Sequence, residues 1–142
     1  MTGNAKLLQE WYDRVWQQGD ISAIDTLMRS DITTDGLVPG MQIGPDEFKL
    51  LVITLGELIY PPVINVEKTM EDGDWVSGFI TMQAEPRDRA TPFTCTAMTF
   101  VRFENGRIVE AYNTMDFIRF FESLGLLPAD TVALLLSGQP LQ

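Results

Sequence analysis

Residues 93–115, FTCTAMTFVRFENGRIVEAYNTM, decide the fold of this chain. Two runs of β-branched and aromatic residues flank Asn105-Gly106, a pair that favours the positive φ angles of a hairpin turn. Alternate residues of a strand point to opposite faces of the sheet. A three-residue bulged loop places Thr99 and Asn113 on the same face, whereas a two-residue turn places them on opposite faces. The sequence leaves both registers open.

Two further strands are predicted before this hairpin. Residues 63–70 and 75–85 alternate in polarity and are joined by a tight turn that contains Asp72-Gly73. A longer link from Pro86 to Pro92 leads to the strand at 93–103, and we interpret its Arg87-Asp88-Arg89 string as a solvated charge cluster. The sequence therefore predicts a four-stranded antiparallel meander.

Helical periodicity dominates the chain before residue 61 and returns after residue 115. The predicted helices span about residues 4–18, 46–60 and 116–124. Asp20 or Ser22 caps a further short helix, in which Ile24, Leu27 and Met28 form the apolar stripe. Gly19 ends the first helix, and Pro61-Pro62 ends the third. The third helix is apolar around most of its girth, so we expect it to be sandwiched between layers. Residues 30–44 lack a clear period.

Three helices, a meander and a terminal helix together indicate an α+β fold with helices packed on one face of a curved sheet. We expect residues 1–142 to form a single domain, because there is no internal repeat or linker. The other face of the hairpin is not plainly polar either, since Met98, Phe100 and Tyr112 lie there beside charged residues. This pattern predicts a homodimer through the convex face of the sheet.

Charge and hydropathy exclude several classes of protein. Ten basic and twenty acidic residues give a net charge of −10, and the basic residues are scattered, which disfavours binding to nucleic acid or to an anionic membrane surface. No apolar run approaches the roughly 20 residues that a membrane span requires. The first residues, MTGNAKLLQEWYDRVW, lack the pattern of a secretory signal, so we expect a cytoplasmic location.

A metal centre is not expected. The chain has no histidine and one cysteine, Cys95, which excludes a Cys/His site, and no spaced acidic loop suggests magnesium or calcium. Cys95 lies within a strand pattern without a neighbouring base, so it is interpreted as a small core residue.

Several strings resemble the SnoaL-like polyketide cyclase family, part of the larger group that includes nuclear transport factor 2 and ketosteroid isomerase. The resemblance covers almost the whole chain. It is carried by residues 16–20 (WQQGD), 24–27 (IDTL), 44–48 (GPDEF), 71–76 (EDGDWV) and 100–116 (FVRFENGRIVEAYNTMD). It implies a cone-shaped α+β barrel that encloses a pocket for a small apolar organic ligand. Members of the family close polyketide rings by aldol chemistry without a metal or an organic cofactor.

The catalytic residues that the resemblance implies are altered in part. The family hairpin commonly ends in His-Trp-Asp, with a second Asp three residues on, and this chain has Ala111, Tyr112 and Asn113 at the first three positions. Asp116 matches the second aspartate. It is either a general acid/base or the N-cap of the last helix. Asn113 either holds a ligand carbonyl or is a buried amide satisfied by the backbone.

Other residues are candidates for binding the substrate. They are Tyr12, Trp16, Asp35, Tyr60, Thr99 and Met115. Tyr12 and Trp16 lie on the apolar side of the first helix, where core packing is the alternative role. Asp35 is alternatively a solvated turn residue, and Met115 an adaptable packing residue.

Three functions remain open from the sequence. The first is a cofactor-free cyclase or isomerase that performs acid/base chemistry on a small apolar carbonyl compound. The second is a non-catalytic domain that binds such a molecule, which the absent histidine and first aspartate favour. A third possibility is a structural domain whose cone is filled by its own side chains.

Overall fold

The structure, a computed structural model, describes residues 3–141. The helices are α1 (Gly3–Trp11), α2 (Ser22–Leu27), α3 (Pro45–Gly56), α4 (Phe117–Ser123) and α5 (Thr131–Leu136). The strands are β1 (Thr34–Asp35), β2 (Gln42–Ile43), β3 (Val63–Asp72), β4 (Trp75–Ala84), β5 (Phe93–Glu104) and β6 (Arg107–Met115). A π-helical turn, Tyr12–Gln17, continues α1. None of the described helices is both long and apolar enough to cross a membrane.

The strands form one curved, unclosed sheet with the order β2-β1-β6-β5-β4-β3. Strands β3 to β6 form the predicted antiparallel meander, and the α+β fold is confirmed. The two-residue strands β1 and β2 lie in the segment for which the sequence predicted no element. They are too short to show a period, and β1 is held by a parallel pairing of Asp35 with Tyr112.

The β5–β6 hairpin combines the two registers that the sequence left open. Asn105 and Gly106 have φ angles of 51° and 76°, which makes a two-residue turn. Arg102 nevertheless pairs with Glu110, because an irregularity beside Phe103 inserts one extra residue into β6. This bulge restores the register in which Thr99 faces Asn113.

Helix α3 is amphipathic and is not sandwiched between layers, so that prediction was wrong for the single chain. Phe48 and Val52 pack into the core, while the side chains of Leu50 and Ile53 are 65% and 49% exposed. The helix also ends at Gly56, earlier than predicted. The residues after it approach the sheet, since Ile59 forms a bridge with Pro86.

Two core clusters lie on the concave side of the sheet. The larger one joins α1, α2 and α3 to the sheet and includes Leu8, Ile24 and Val76. The smaller one surrounds Phe120 of α4 and Phe93 of β5. Side chains of both clusters line a cavity, so the site lies where the two clusters meet.

Candidate functional site

An apolar cavity of about 260 Å³ opens between the concave face, the π-helical turn, α3 and α4. Most of its wall is aromatic and aliphatic. The apolar residues that line it include Trp11, Trp16, Phe48, Val52, Ile64, Ile80, Met82, Met115, Phe117 and Phe120. The cone is therefore not filled by its own side chains.

The π-helical turn places two aromatic residues on the cavity wall. The backbone N–H of Gln18 donates to the carbonyl oxygen of Asp13 at 2.9 Å, five residues back, as π-helical spacing requires. Gly19, at a φ angle of +66°, ends the turn. Tyr12 and Trp16 both line the cavity from this segment.

A polar group interrupts the apolar wall where β5 meets β6. The hydroxyl of Thr99 donates to Oδ1 of Asn113 at 2.7 Å. Burial raises the pKa of Tyr12 well above its usual range, and the nearby side chain of Thr99 lowers this pKa by a smaller amount. The Tyr12 phenol therefore stays protonated at neutral pH and can donate a hydrogen bond.

The amide nitrogen of Asn113 is also available to a ligand. No hydrogen bond from this nitrogen to another side chain or to the backbone occurs within residues 3–141, and no fully buried side-chain nitrogen or oxygen there lacks a partner. The nitrogen must therefore reach open space, and Asn113 lines the cavity. Tyr12 and Asn113 together offer hydrogen-bond donors to a ligand oxygen inside the apolar cavity.

Asp116 lies outside this cavity. Its side chain accepts a hydrogen bond from the backbone N–H of Arg119 at 3.0 Å, so it is the N-cap of α4. The side chain is exposed and does not line the cavity. The geometry thus shows the capping alternative and gives no contact through which Asp116 would move a ligand proton.

The structure brings together some of the predicted binding residues and not others. Tyr12, Trp16 and Met115 line the cavity with Asn113, and Thr99 is buried behind them. Asp35 is exposed on β1, away from the cavity wall. Tyr60 is also exposed and outside the wall, with its ring beneath a guanidinium group.

No carboxylate lines the cavity within residues 3–141, and no group of three or more His, Cys, Asp or Glu side chains there is placed to hold a metal ion. Cys95 lines it, and burial, with a smaller effect of Asp116, raises the pKa of its thiol to about 11. Arg87 is the one charged residue of the described wall. Sequence reasoning missed Arg87, since its string was interpreted as a solvated cluster.

Comparison with known proteins agrees with this geometry. A family model described as a SnoaL-like domain matches residues 8–111, which is more than half of the chain. The chain belongs to the SnoaL-like domain family. No curated protein matches this SnoaL-like domain.

Solved structures share the fold of this SnoaL-like domain at low sequence identity. A proposed polyketide cyclase from Bacillus cereus superposes with a TM-score of 0.76 at 18% identity, covering 85% of this chain and 79% of its own. IdmH, a proposed polyketide cyclase from Streptomyces antibioticus, gives 0.74 at 18% identity, with 87% and 99% covered. A Catenulispora acidiphila protein with a ketosteroid isomerase-like fold, solved with trimethylamine, gives 0.72 at 20% identity, with 87% and 95% covered.

Proposed function

We propose that this SnoaL-like domain binds a small, largely apolar carbonyl compound and holds its oxygen on Tyr12 and Asn113. The observation that carries the proposal is a cavity of about 260 Å³ whose apolar wall is broken by these two donors. Burial of the ligand's apolar surface supplies affinity at roughly 25 cal/mol per Å². A carbonyl oxygen that loses water needs replacement donors, and the two side chains supply them.

The wall favours binding over proton abstraction by the protein. Removing a proton beside a carbonyl requires a base, and the described wall contains no carboxylate. The protonated Tyr12 phenol is an acid and cannot accept that proton. Cys95 also remains protonated at neutral pH, since burial raises its pKa to about 11.

A cyclase or isomerase activity is the second candidate. Tyr12 and Asn113 are donors that would stabilise the charge developing on an enolate oxygen, and such donors lower reaction barriers in water-poor sites. Two structural neighbours are proposed polyketide cyclases. In this form of the proposal, the domain holds the substrate in a bent conformation and polarises its carbonyl group. Solvent takes up the proton that leaves the carbon next to the carbonyl group.

Paired ligands test the binding proposal. Valerophenone carries a ketone, whereas pentylbenzene has a similar size and no acceptor, and tryptophan fluorescence reports binding because Trp11 and Trp16 line the cavity. We expect Tyr12→Phe to weaken valerophenone binding by about 3- to 10-fold, the range for one neutral hydrogen bond, and to leave pentylbenzene unchanged. Tyr112→Phe, on the exposed outer face, is the matched control. Equal effects of Tyr12→Phe on the two ligands would contradict the proposed role of its hydroxyl.

Hydrogen–deuterium exchange at the carbon next to the ketone separates the two candidates. A domain that only binds leaves the exchange rate of valerophenone at its value in buffer, as measured by NMR in D₂O. Enolate stabilisation accelerates the exchange, and Tyr12→Phe then removes the acceleration.

The proposal includes a homodimer formed through the outer face of β4, β5 and β6. Phe79, Met98, Phe100 and Tyr112 are all exposed on this face of the single chain. Trp75 stacks on Phe100, with their ring centroids 4.4 Å apart. An apolar patch of this kind on a sheet is typical of a protein interface.

A further inference from the structure

Arg87 is held in place at the rim of the cavity. Its Nε donates to the carbonyl oxygen of Gly56, the last residue of α3, at 2.8 Å. Its guanidinium carbon lies 4.8 Å from the centroid of the Tyr60 ring. The backbone N–H of Arg87 donates to the carbonyl oxygen of Leu58 at 3.0 Å. These contacts orient the side chain before any ligand arrives, which reduces the entropy cost of binding.

The two Nη atoms of Arg87 have no protein acceptor within residues 3–141. No carboxylate of that part of the chain lies within 4.0 Å of its guanidinium, whereas Arg14, Arg29, Arg89 and Arg102 each have such a partner. Arg107 and Arg119 also have no carboxylate within that distance among the described residues, but of these three arginines Arg87 alone lines the described cavity wall. Its Nη donors are therefore available to a ligand.

We infer that Arg87 selects ligands that carry a carboxylate, so that the preferred ligand is an apolar keto acid. The inference rests on the proposed function, in which Tyr12 and Asn113 hold the ketone. The planar guanidinium matches the two oxygens of a carboxylate and binds them through parallel hydrogen bonds. No acidic side chain of the described wall opposes an anion there.

A carboxylate and its ester test the inference. The probes are 5-benzoylpentanoate and its methyl ester, which share the ketone and differ in charge. We expect Arg87→Gln to reduce the preference for the acid over the ester by roughly 5-fold, the size of an ion pair at an exposed rim. Arg87→Lys keeps the charge without the planar fork and should lose part of the preference. Arg107→Gln, at the β5–β6 turn, removes the same charge away from the cavity and should change nothing.

Each result decides between specific explanations. An unchanged acid-to-ester ratio in Arg87→Gln would overturn the inference and leave the binding proposal intact. If Arg87→Gln weakens the binding of valerophenone, which has no carboxylate, as much as it weakens the binding of 5-benzoylpentanoate, Arg87 only shapes the rim. That result would also overturn the inference. If the wild-type protein binds neither valerophenone nor the two probes, the proposed function itself fails.

Discussion

The roles of single residues in this domain follow from where the fold buries them. Tyr12 and Cys95 are ordinary members of an apolar helix stripe and a strand pattern in the sequence, yet both line the cavity. Burial raises the pKa of each, because the charged form loses its water. The cavity therefore favours neutral donors and disfavours anions formed from its own side chains.

Cys95 gives a prediction about pH. Its thiol titrates at about 11 in the folded protein against a reference of 9.0, chiefly because of burial. Between these values the unfolded chain releases a proton that the folded chain keeps, so the free energy of unfolding falls as pH rises. We expect a fall of up to about 1.4 kcal/mol per pH unit in urea unfolding.

The matched variant for this prediction is Cys95→Ala, which lacks the titrating thiol. It should show a shallower fall between pH 9 and pH 11, the window set by the two pKa values. Tyr12 contributes to the slope above its ordinary pKa of 10 in both proteins, so the difference isolates the thiol. Identical slopes in the two proteins would show that Cys95 is hydrated in the folded state.

The position of Asn113 in β6 depends on a close approach between its backbone and the end of β1. Strand β1 adds to the sheet beside β6, and Gly36 follows it directly. Gly36 has a φ angle of +87°, and a Cβ there would overlap the backbone carbonyl oxygen of Asn113. This glycine lets the short β1 segment pack against the strand that carries the proposed ligand donor.

Gly36→Ala should therefore destabilise the domain strongly. We expect a loss of about 3 kcal/mol in the free energy of unfolding, from the unfavourable φ angle and the overlap together. Gly40→Ala is the control, since Gly40 has a φ angle of +78° but no neighbouring atom within 4 Å of an added Cβ. It should cost about 1 kcal/mol. Urea unfolding of both variants measures the difference. Equal losses in the free energy of unfolding would show that the overlap with the carbonyl oxygen of Asn113 has no effect on stability.

The whole molecule uses the two faces of its sheet differently. The concave face packs against the helices and leaves the cavity. The outer face keeps large apolar side chains in contact with water in the single chain. A net charge of −10 on each copy opposes self-association, but salt screens that repulsion beyond about 8 Å at physiological ionic strength.

The proposed homodimer predicts a specific effect of one charge on the outer face. Met98 is 59% exposed near the centre of that face, and Met98→Glu places two carboxylates in a desolvated interface. We expect the variant to sediment as a monomer in analytical ultracentrifugation where the wild-type protein sediments as a dimer. Leu50→Glu, on the exposed side of α3, should remain dimeric. A wild-type protein that is monomeric at high salt and high concentration would refute the dimer.

The sequence alone was sufficient for helices α1 to α4, strands β3 to β6 and the α+β fold, because alternation, helical spacing and turn residues act over short distances. It also indicated the family, and it identified Tyr12 and Asn113 as candidates for the site. The sequence left the β5–β6 register open. The bulge lies just beyond the turn, where the consecutive residues Ile108 and Val109 are both buried, and that burial depends on packing with the rest of the fold.

Only the tertiary structure decided how the remaining side chains are used. Asp116 lies between β6 and α4, and this position in the chain is the same whether it acts as an acid/base or as an N-cap. Its exposed position as the N-cap depends on how α4 packs against β5. Arg87 reaches the cavity because the carbonyl oxygen of Gly56 and the ring of Tyr60 hold it there. Local pattern carries no information about contacts between residues about thirty positions apart, and those contacts are made only when helices and sheet pack together.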